Sequence, residues 1–317
     1  MPNRRKVHQD VLPWVREALS HRRWFSDAAP HWAWAETSSA AEHKHKRLVR
    51  FLRKHADDAE NLYPALNWMH GLADRIASCD VDDPCLTDGC PKCTRAMQRY
   101  LVQEWGTFIQ RINKPQLIMA TLIVGTDRNL SAEAIEPVQR RTTTRLRIAG
   151  VAYALGGLDV SFNQTAYDDD PGEWCLHYHL VIPTNDVMRW KQHLLASAKQ
   201  SMPYIRRPLL LKPFDGSPQG LAYLFKTDFK RRVSYIQKKV RNGKTRTCFN
   251  TSEQLLRVSE RMQLHGFLSR HGLASRVFLL GARPTRTDEG ISIVKIRRKS
   301  VNSELAEKPQ LALQKPS

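Results

Sequence analysis

Two strand-like segments joined by a short acidic turn constrain the fold of this 317-residue chain more than any other feature. Residues 157–163 and 174–182 alternate apolar and polar side chains, which is typical of β-strands, and the turn between them contains the run DDDPG at 168–172. They predict a β-hairpin. Because side chains alternate across a strand, His177 and His179 point to the same side, close enough for two imidazoles to bind one divalent metal ion.

A carboxylate on the first strand completes the predicted metal site. If the turn centres near residue 169, Asp159 falls opposite His177 or Tyr178. Two imidazoles and one carboxylate leave coordination positions open, as metal-assisted phosphate chemistry requires. A His-x-His pair is also common in strands that bind no metal. The metal-site prediction therefore depends on a second motif downstream.

Other residues of the hairpin are weaker candidates for the third ligand. Glu173 shares the face of the histidines, but along an extended strand of about 3.3 Å per residue it lies roughly 13 Å from His177. That distance is too long for a shared metal ion. Asn163 and Gln164 remain alternatives if the register of the hairpin differs.

The second motif is a tyrosine followed by a lysine. Ser217 and Pro218 are typical of a helix start, with serine as the N-cap and proline in the first turn. The predicted helix carries Tyr223 and Lys226 three residues apart on one face. A tyrosine on a rigid helix can attack a metal-bound phosphate, and a neighbouring lysine can neutralise the charge that develops. Tyr235 has a lysine, Lys238, at the same spacing and is the rival nucleophile; Tyr223 is preferred because it lies nearer the start of the helix.

The order and spacing of these motifs resemble the HUH endonuclease superfamily, in particular the rolling-circle replication initiators of bacterial plasmids and phages. The resemblance rests on W-x-x-H-x-H at 174–179 and Y-x-x-K-x-D at 223–228, with the apolar strand 116–124 in the place of the first family motif. It covers roughly residues 114–240.

The resemblance implies an activity and its partners. Such an enzyme nicks single-stranded or hairpin origin DNA with Mg²⁺ or Mn²⁺, forms a 5′-phosphotyrosine, leaves a 3′-OH as primer, and works with a host helicase and the replication machinery. In some related initiators a glutamate one helical turn before the tyrosine activates the terminating water. Gln219 stands there in this chain, and a neutral amide cannot act as a general base.

Three alternative functions remain open. A single-tyrosine HUH transposase would share the chemistry and differ in its substrate, the ends of an insertion element. Relaxases usually carry a third histidine and place their tyrosine ahead of the histidines, so the motif order argues against them. From another class, a non-catalytic zinc-containing regulator would bind DNA through its cysteines and basic surface, with the histidines in the core.

Four cysteines cluster within fifteen residues, at Cys79, Cys85, Cys90 and Cys93. In a cytosolic protein such clustering favours a tetrahedral Zn²⁺ site over disulfides. Since all four positions of such a site are filled by protein, we predict a structural role: a zinc knuckle that presents a helix over about 94–111.

The charge of the chain points to nucleic acid. Fifty Lys and Arg residues against 31 Asp and Glu give a formal charge of +19, which favours a polyanionic partner. No apolar run approaches the roughly 20 residues of a membrane helix, and a secretion signal is not recognisable, so we expect a cytoplasmic protein without a membrane partner.

The segment 226–246 contains nine basic residues and one acidic residue. From it we predict the DNA-binding residues Lys230, Arg231, Arg232, Lys238, Lys239 and Arg241.

The succession of elements predicts an α+β fold preceded by a helical region. We expect an antiparallel sheet with helices on one face and the histidine strand at its centre. The predicted division is a helical N-terminal region (1–113) with the zinc knuckle at 79–93, an HUH-type nicking and joining domain (114–248), a small C-terminal helix and strand module (249–300) and a disordered tail (301–317).

Overall fold

The computed structural model describes residues 13–27, 35–60, 68–112, 116–130, 135–166, 170–201, 207–241 and 244–296. These residues form an α+β fold around a seven-stranded mixed sheet, with a separate two-stranded sheet near the C-terminus. The tail predicted over 301–317 lies outside the described residues. None of the described helices combines the length and apolarity needed to cross a membrane.

The large sheet has the strand order β4-β1-β3-β2-β5-β6, and β7 also pairs with β2. Its strands are β1 (Gln116–Asp127), β2 (Ala154–Thr165), β3 (Glu173–Thr184), β4 (Leu209–Pro213), β5 (Arg231–Arg241), β6 (Lys244–Gln254) and β7 (Val277–Leu280). The small sheet pairs β8 (Ala282–Thr287) with β9 (Gly290–Lys295).

The sheet is mixed, so the prediction of a purely antiparallel sheet is wrong. β5 pairs in parallel with β2, at Phe162 opposite Arg231, whereas the other pairs of the large sheet are antiparallel. The reason is the path of the chain: after β4 it crosses over through the tyrosine segment and enters β5 from the same end as β2.

The histidine strand β3 lies between β1 and β2, as predicted for a central strand. In the β2–β3 hairpin, Asp159 is paired with His177 and Gly157 with His179. Alternation sends Trp174 and Tyr178 into one core and places the two histidines on the opposite face. This register decides which side chains can meet at the site.

Eight α-helices accompany the strands in the described part of the chain. They are α1 (Pro13–Ala18), α2 (Ser38–Glu60), α3 (Trp68–Ala77), α4 (Pro91–Ile112), α5 (Ile135–Ile148), α6 (Val187–Ser201), α7 (Pro218–Tyr223) and α8 (Val258–His271). Short 3-10 turns occupy Arg22–Trp24 and Leu273–Arg276.

Helices pack against both faces of the sheet, not against one face as predicted. Apolar side chains of α5, α6 and α8 share a core with Leu158 and Tyr178. On the opposite face, the N-terminal helices share a second core with Leu155 of β2, Val181 of β3 and Leu221 of α7. The N-terminal helical region therefore covers one end of the face that carries the histidines.

The tyrosine helix is shorter than predicted. α7 ends at Tyr223, and Lys226 follows three residues later in an irregular segment. Leu224 and Phe225 are each 1% exposed, because the chain turns there to bury both side chains. The segment around Tyr235 is strand β5, which forms an antiparallel hairpin with β6.

Candidate active site

Two imidazoles and one carboxylate meet on one face of the β2–β3 hairpin, opposite to the face that carries Trp174 and Tyr178. His177 Nε2 lies 3.0 Å and His179 Nε2 lies 3.2 Å from Asp159 Oδ2. All three side chains are buried, and their ligand atoms lie within 4.8 Å of one another. Nitrogen and oxygen donors at these separations could bind a metal ion.

The imidazole rings are held by their other nitrogens. His177 Nδ1 lies 3.4 Å from the carbonyl oxygen of Cys175, and His179 Nδ1 lies 3.0 Å from Thr121 Oγ1 on β1. A carbonyl only accepts, so a hydrogen bond at this contact requires a proton on Nδ1 of His177, and in the neutral ring Nε2 then presents a lone pair.

The contact between His177 Nε2 and Asp159 Oδ2 suits a bound cation. Although His177 Nε2 is close to Asp159 Oδ2, it has no hydrogen-bond partner among the described residues. A buried lone pair facing a carboxylate oxygen is unfavourable unless a proton or a cation lies between them. The orphaned nitrogen is therefore consistent with a bound metal ion.

The electrostatics favour the protonation states that metal binding requires. Burial raises the pKa of Asp159, but His177, His179 and Lys226 outweigh burial and hold that pKa well below its ordinary value. Burial lowers the pKa of His179 to about 4, against the opposing effect of Asp159. Near neutral pH the carboxylate is charged and the His179 imidazole is neutral.

The tyrosine predicted as nucleophile lies against this cluster. Ser217 caps α7 by accepting a hydrogen bond from the Gly220 N–H at 3.3 Å, as predicted. At the end of α7, the Tyr223 ring centroid is 4.7 Å from that of His179, and the side chain is 43% exposed. The phenol that lies beside the imidazoles is therefore accessible from solvent.

Lys226 joins the same group from beyond the helix. Its Nζ lies 2.7 Å from Asp159 Oδ2 and 4.3 Å from the centroid of the Tyr223 ring. The Y-x-x-K spacing thus brings Tyr223 to His179 and Lys226 to the carboxylate, although a turn rather than a helix provides the geometry.

A glycine on β2 lets the tyrosine segment approach the sheet. A Cβ at Gly157 would lie 2.5 Å from the Leu224 carbonyl oxygen and 3.2 Å from Phe225 Cδ2. The backbone just after Tyr223 therefore rests directly on the strand that carries Asp159. Only a residue without a side chain permits this contact.

A cleft of about 520 Å³ opens over Asp159, Tyr223 and Lys226. Polar side chains on its walls come from the N-terminal region, α7, the segment between α7 and β5, and strands β5 and β6: Glu36, Lys44, Gln98, Gln219, Asp228, Lys230, Arg232 and Glu253. Lys44 is paired with Glu36 and Asp228, each at 2.8 Å.

The predicted DNA-binding residues separate into three groups. Lys230 and Arg232 line the cleft, and Lys238 is exposed on β5. Arg231 is 6% exposed with its Nε 3.5 Å from Glu260 Oε1, so the assignment of this residue to the DNA surface is wrong. Lys239 and Arg241 belong to β5 by their backbone, and their side chains lie outside the described parts.

The rival residues lie elsewhere. Tyr235 is exposed on β5 opposite Asn250 and is not among the described residues that line the cleft. Asn163 is paired with Glu173, four residue pairs along the hairpin from Asp159 and His177. Gln164 donates to the carbonyl of Asp170 at 2.5 Å.

The four clustered cysteines, Cys79, Cys85, Cys90 and Cys93, form a second group that could bind a metal ion such as zinc. Three of their Sγ–Sγ separations are 3.5, 3.7 and 3.7 Å, and none of the cysteines in the described residues forms a disulfide. Four sulfurs bound to a tetrahedral zinc ion at about 2.3 Å are about 3.8 Å apart. The loop around them takes up φ values of 52° at Leu86 and 104° at Gly89.

Three contributors to this site carry no recognisable sequence signal. Thr121 is one polar residue in an apolar strand, Gly157 follows another glycine, and Gln98 lies inside an ordinary amphipathic helix. The alternation of β1 shows that Thr121 shares a face with Met119 and Ile123, but the strand order that brings it to His179 is a tertiary property.

The chain was compared with known families, curated proteins and solved structures. No family model matches it, and neither a curated protein nor a solved structure shows significant similarity.

Proposed function

We propose that this protein is a metal-dependent tyrosine DNA endonuclease and strand transferase of the HUH type, which initiates rolling-circle replication by nicking and joining a single strand. The observation that carries the proposal is the convergence of Asp159, His177, His179, Tyr223 and Lys226, of which Asp159, Tyr223 and Lys226 also line an open cleft. The three motifs of the resemblance are far apart in sequence, and this fold brings them together.

Asp159, His177 and His179 would hold the Mg²⁺ or Mn²⁺ that the resemblance implies; the carboxylate suits either ion, and the remaining coordination positions would take substrate oxygens. When bound, the ion polarises the scissile phosphate and stabilises the charge that develops on its oxygens. The Thr121 hydroxyl and the Cys175 carbonyl orient the two imidazoles.

Tyr223 is the proposed nucleophile. Its phenolic oxygen attacks the phosphorus, the bond from phosphorus to the 3′ oxygen breaks, and the 5′-phosphate becomes attached to the tyrosine. The phenol gives up its proton to solvent, and the departing 3′ oxygen takes up a proton from solvent and becomes the primer hydroxyl. The Lys226 ammonium group, 4.3 Å from the centre of the ring, assists by stabilising the negatively charged transition state.

The phosphotyrosine conserves the energy of the broken bond, so a 3′-OH can attack it and rejoin the strand. Gln219, which lines the cleft, occupies the place of the glutamate that activates water in some related initiators. Release by strand transfer is therefore favoured over release by hydrolysis through that position.

The DNA strand is proposed to enter along the basic wall of the cleft. Lys230 and Arg232 lie on that wall, and the β5–β6 hairpin extends it with Lys238. Positive side chains at these places can contact successive phosphates without reading base sequence. The formal charge of +19 supports a nucleic-acid partner.

We infer that the cysteine cluster holds Zn²⁺ in a structural role. Its sulfur separations match a tetrahedral thiolate site, and its sulfurs are largely buried. A buried site with four protein ligands leaves no position for substrate.

The test is formation of a covalent adduct. The protein is incubated with labelled single-stranded and hairpin oligonucleotides and Mn²⁺, and denaturing gels are examined for protein-linked DNA. We expect an adduct that is lost in Tyr223→Phe and His177→Ala and retained in Tyr235→Phe, with DNA affinity unchanged in all three variants. An adduct that survives Tyr223→Phe but not Tyr235→Phe would reassign the nucleophile, and no adduct across a wide oligonucleotide panel would refute nicking.

A second candidate function is a non-catalytic DNA-binding regulator. It is favoured by the burial of Asp159, His177 and His179, which are 4%, 3% and 2% exposed, and by the ion pair of Lys226 with the carboxylate. In that case the cluster would be a structural polar network and would not bind Mn²⁺. Titration calorimetry with Mn²⁺, comparing the wild type with His177→Ala, separates the two functions. A transposase or relaxase would share the adduct and would differ in the DNA sequence that is cut.

A further inference from the structure

The segment 222–226, called the tyrosine turn below, is held by donors from outside it. The side-chain nitrogen Nε2 of Gln98 donates to the carbonyl oxygens of Ala222 and Phe225, each at 3.0 Å. Arg276 Nη1 donates to the carbonyl oxygen of Lys226 at 3.1 Å. Three carbonyls that flank the proposed nucleophile and its lysine are therefore fixed from two directions.

The first donor belongs to the helix that follows the cysteine cluster. Gln98 lies on α4, which starts at Pro91 immediately after Cys90 and contains Cys93 in its first turn. α4 also packs against α7, where Leu221 reaches the helix at Gly106. The orientation of α4 is thus set at its N-terminus by the two cysteines and transmitted to the tyrosine turn through Gln98.

The second donor is bound to the cysteine loop. Asp88, between Cys85 and Cys90, binds the Arg276 guanidinium through two contacts, Nε to Oδ2 at 2.6 Å and Nη2 to Oδ1 at 2.9 Å. Both side chains are 0% exposed. The same Nη1 that reaches Lys226 also donates to the carbonyl of Leu158, next to Asp159, at 3.2 Å. One guanidinium thereby connects the cysteine loop, the metal-ligand strand and the tyrosine turn.

We propose that Gln98 is a positioning residue for the reaction, and that the cysteine cluster with α4 forms the platform that sets the place of Tyr223 relative to Asp159 and the histidines. This inference rests on the proposed nicking function. A six-residue helix such as α7 is not stable by itself, so its end needs tertiary support. In-line attack on phosphorus tolerates little displacement, because a shift of about 1 Å can reduce a rate about 100-fold.

The position of Gln98 separates this role from ordinary core packing. Its side chain is half-buried at the wall of the cleft rather than in the centre of a core. Truncation should therefore release the tyrosine turn without opening a large internal cavity. Gln110, an exposed residue on the same helix, provides a matched control.

The kinetic test measures single-turnover cleavage with Mn²⁺ and a labelled oligonucleotide. For Gln98→Ala we expect a rate constant about 10- to 100-fold lower, with an unchanged reaction amplitude and an unchanged Kd for DNA. Gln98→Glu keeps the size but faces two carbonyls without a donor, so its loss should be at least as large. Gln110→Ala should react like the wild type. A reduced amplitude with a normal rate constant would show that Gln98 serves folding only and would overturn the proposal.

A second measurement does not depend on activity. The amide groups of Leu224 and Phe225 donate within the turn to Leu221 and Ala222 at 3.1 Å each. Hydrogen–deuterium exchange of the peptide 218–227 should be faster in Gln98→Ala, and faster in wild type stripped of the metal bound by the cysteines, but unchanged in Gln110→Ala. Unchanged exchange in Gln98→Ala would overturn the inference, whereas absence of a wild-type adduct would refute the proposed function and with it the kinetic role of Gln98, but not its support of the tyrosine turn.

Discussion

Replacement of Gly157 by alanine tests whether the tyrosine segment must rest directly on β2. The new Cβ would lie 2.5 Å from the Leu224 carbonyl oxygen, and ordinary contacts begin at 3.4 Å, so these atoms must separate by 0.9 Å (3.4 minus 2.5). β2 cannot yield easily, because Gly157 is paired with His179 on one side and with Val277 on the other. The displacement falls on the segment that carries the tyrosine.

Two consequences of this displacement have different magnitudes. A shift of about 1 Å in a reacting group can reduce the rate about 100-fold. Overpacking of this kind costs about 1–3 kcal/mol of folding free energy, which a domain with roughly 5–15 kcal/mol of stability survives. For Gly157→Ala we therefore expect a folded protein whose single-turnover cleavage is about 100-fold slower.

The assay pairs single-turnover cleavage with urea unfolding of the same preparation. Gly125→Ala is the matched control, because a Cβ at this β1 glycine would meet no atom within 4 Å. It should retain the wild-type rate. A folded Gly157→Ala variant that cleaves as fast as the wild type would show that Tyr223 does not act from the position described above.

Three further predictions concern charge. Asp88→Asn and Arg276→Met should each lower the free energy of unfolding in urea by about 3–5 kcal/mol, because each leaves a buried charge uncompensated. The double variant should lose clearly less stability than the sum of the two single losses, and additive losses would argue against a direct pair. Burial lowers the pKa of His265 to about 3, so below about pH 6.5 the unfolded state binds a proton that the folded state does not. The free energy of unfolding therefore falls between about pH 6.5 and pH 3, by at most about 1.4 kcal/mol per pH unit from this residue. His265→Gln should make the free energy of unfolding in urea depend less steeply on pH between 7 and 4, and an identical slope would contradict the prediction. Lys230→Gln should lower the slope of log Kd for DNA against log salt concentration by about 1. Arg231→Gln, at a buried position, should leave this slope unchanged, and equal changes in both variants would contradict the assignment of Lys230 to the cleft.

Local periodicity predicted the core of the site, whereas tertiary contacts decided the rest. The alternation of β3 and the position of the turn predicted Asp159 opposite His177 or Tyr178, and the structure pairs it with His177; the prediction came this close because the register of a hairpin depends on its turn and loop length, which are local. The helix expected to carry Lys226 ends early, because Leu224 and Phe225 turn inward to become buried. That ending depends on a surface far away in sequence.

The parallel pairing of β5 with β2 illustrates the same limit. Strand propensity in 231–241 is visible in the sequence, but the direction in which a strand joins a sheet depends on the crossover before it. This crossover contains the tyrosine turn. The element that makes the sheet mixed is thus also the element that brings Tyr223 to the histidines.

Buried arginines explain why net charge alone does not locate a DNA surface. Arg276 is bound to Asp88 deep in the fold, Arg231 to Glu260, and Arg99 to the partly exposed Asp27. Such guanidiniums contribute to the formal charge, yet phosphate cannot reach them.

The pair of Arg276 with Asp88 connects the cysteine loop to the strand that carries Asp159, and the N-terminal helices share a core with that sheet. Cutting the chain between the two regions would therefore break an internal contact surface, so a fragment lacking the N-terminal helices should lose the geometry of the cleft along with the cysteine cluster.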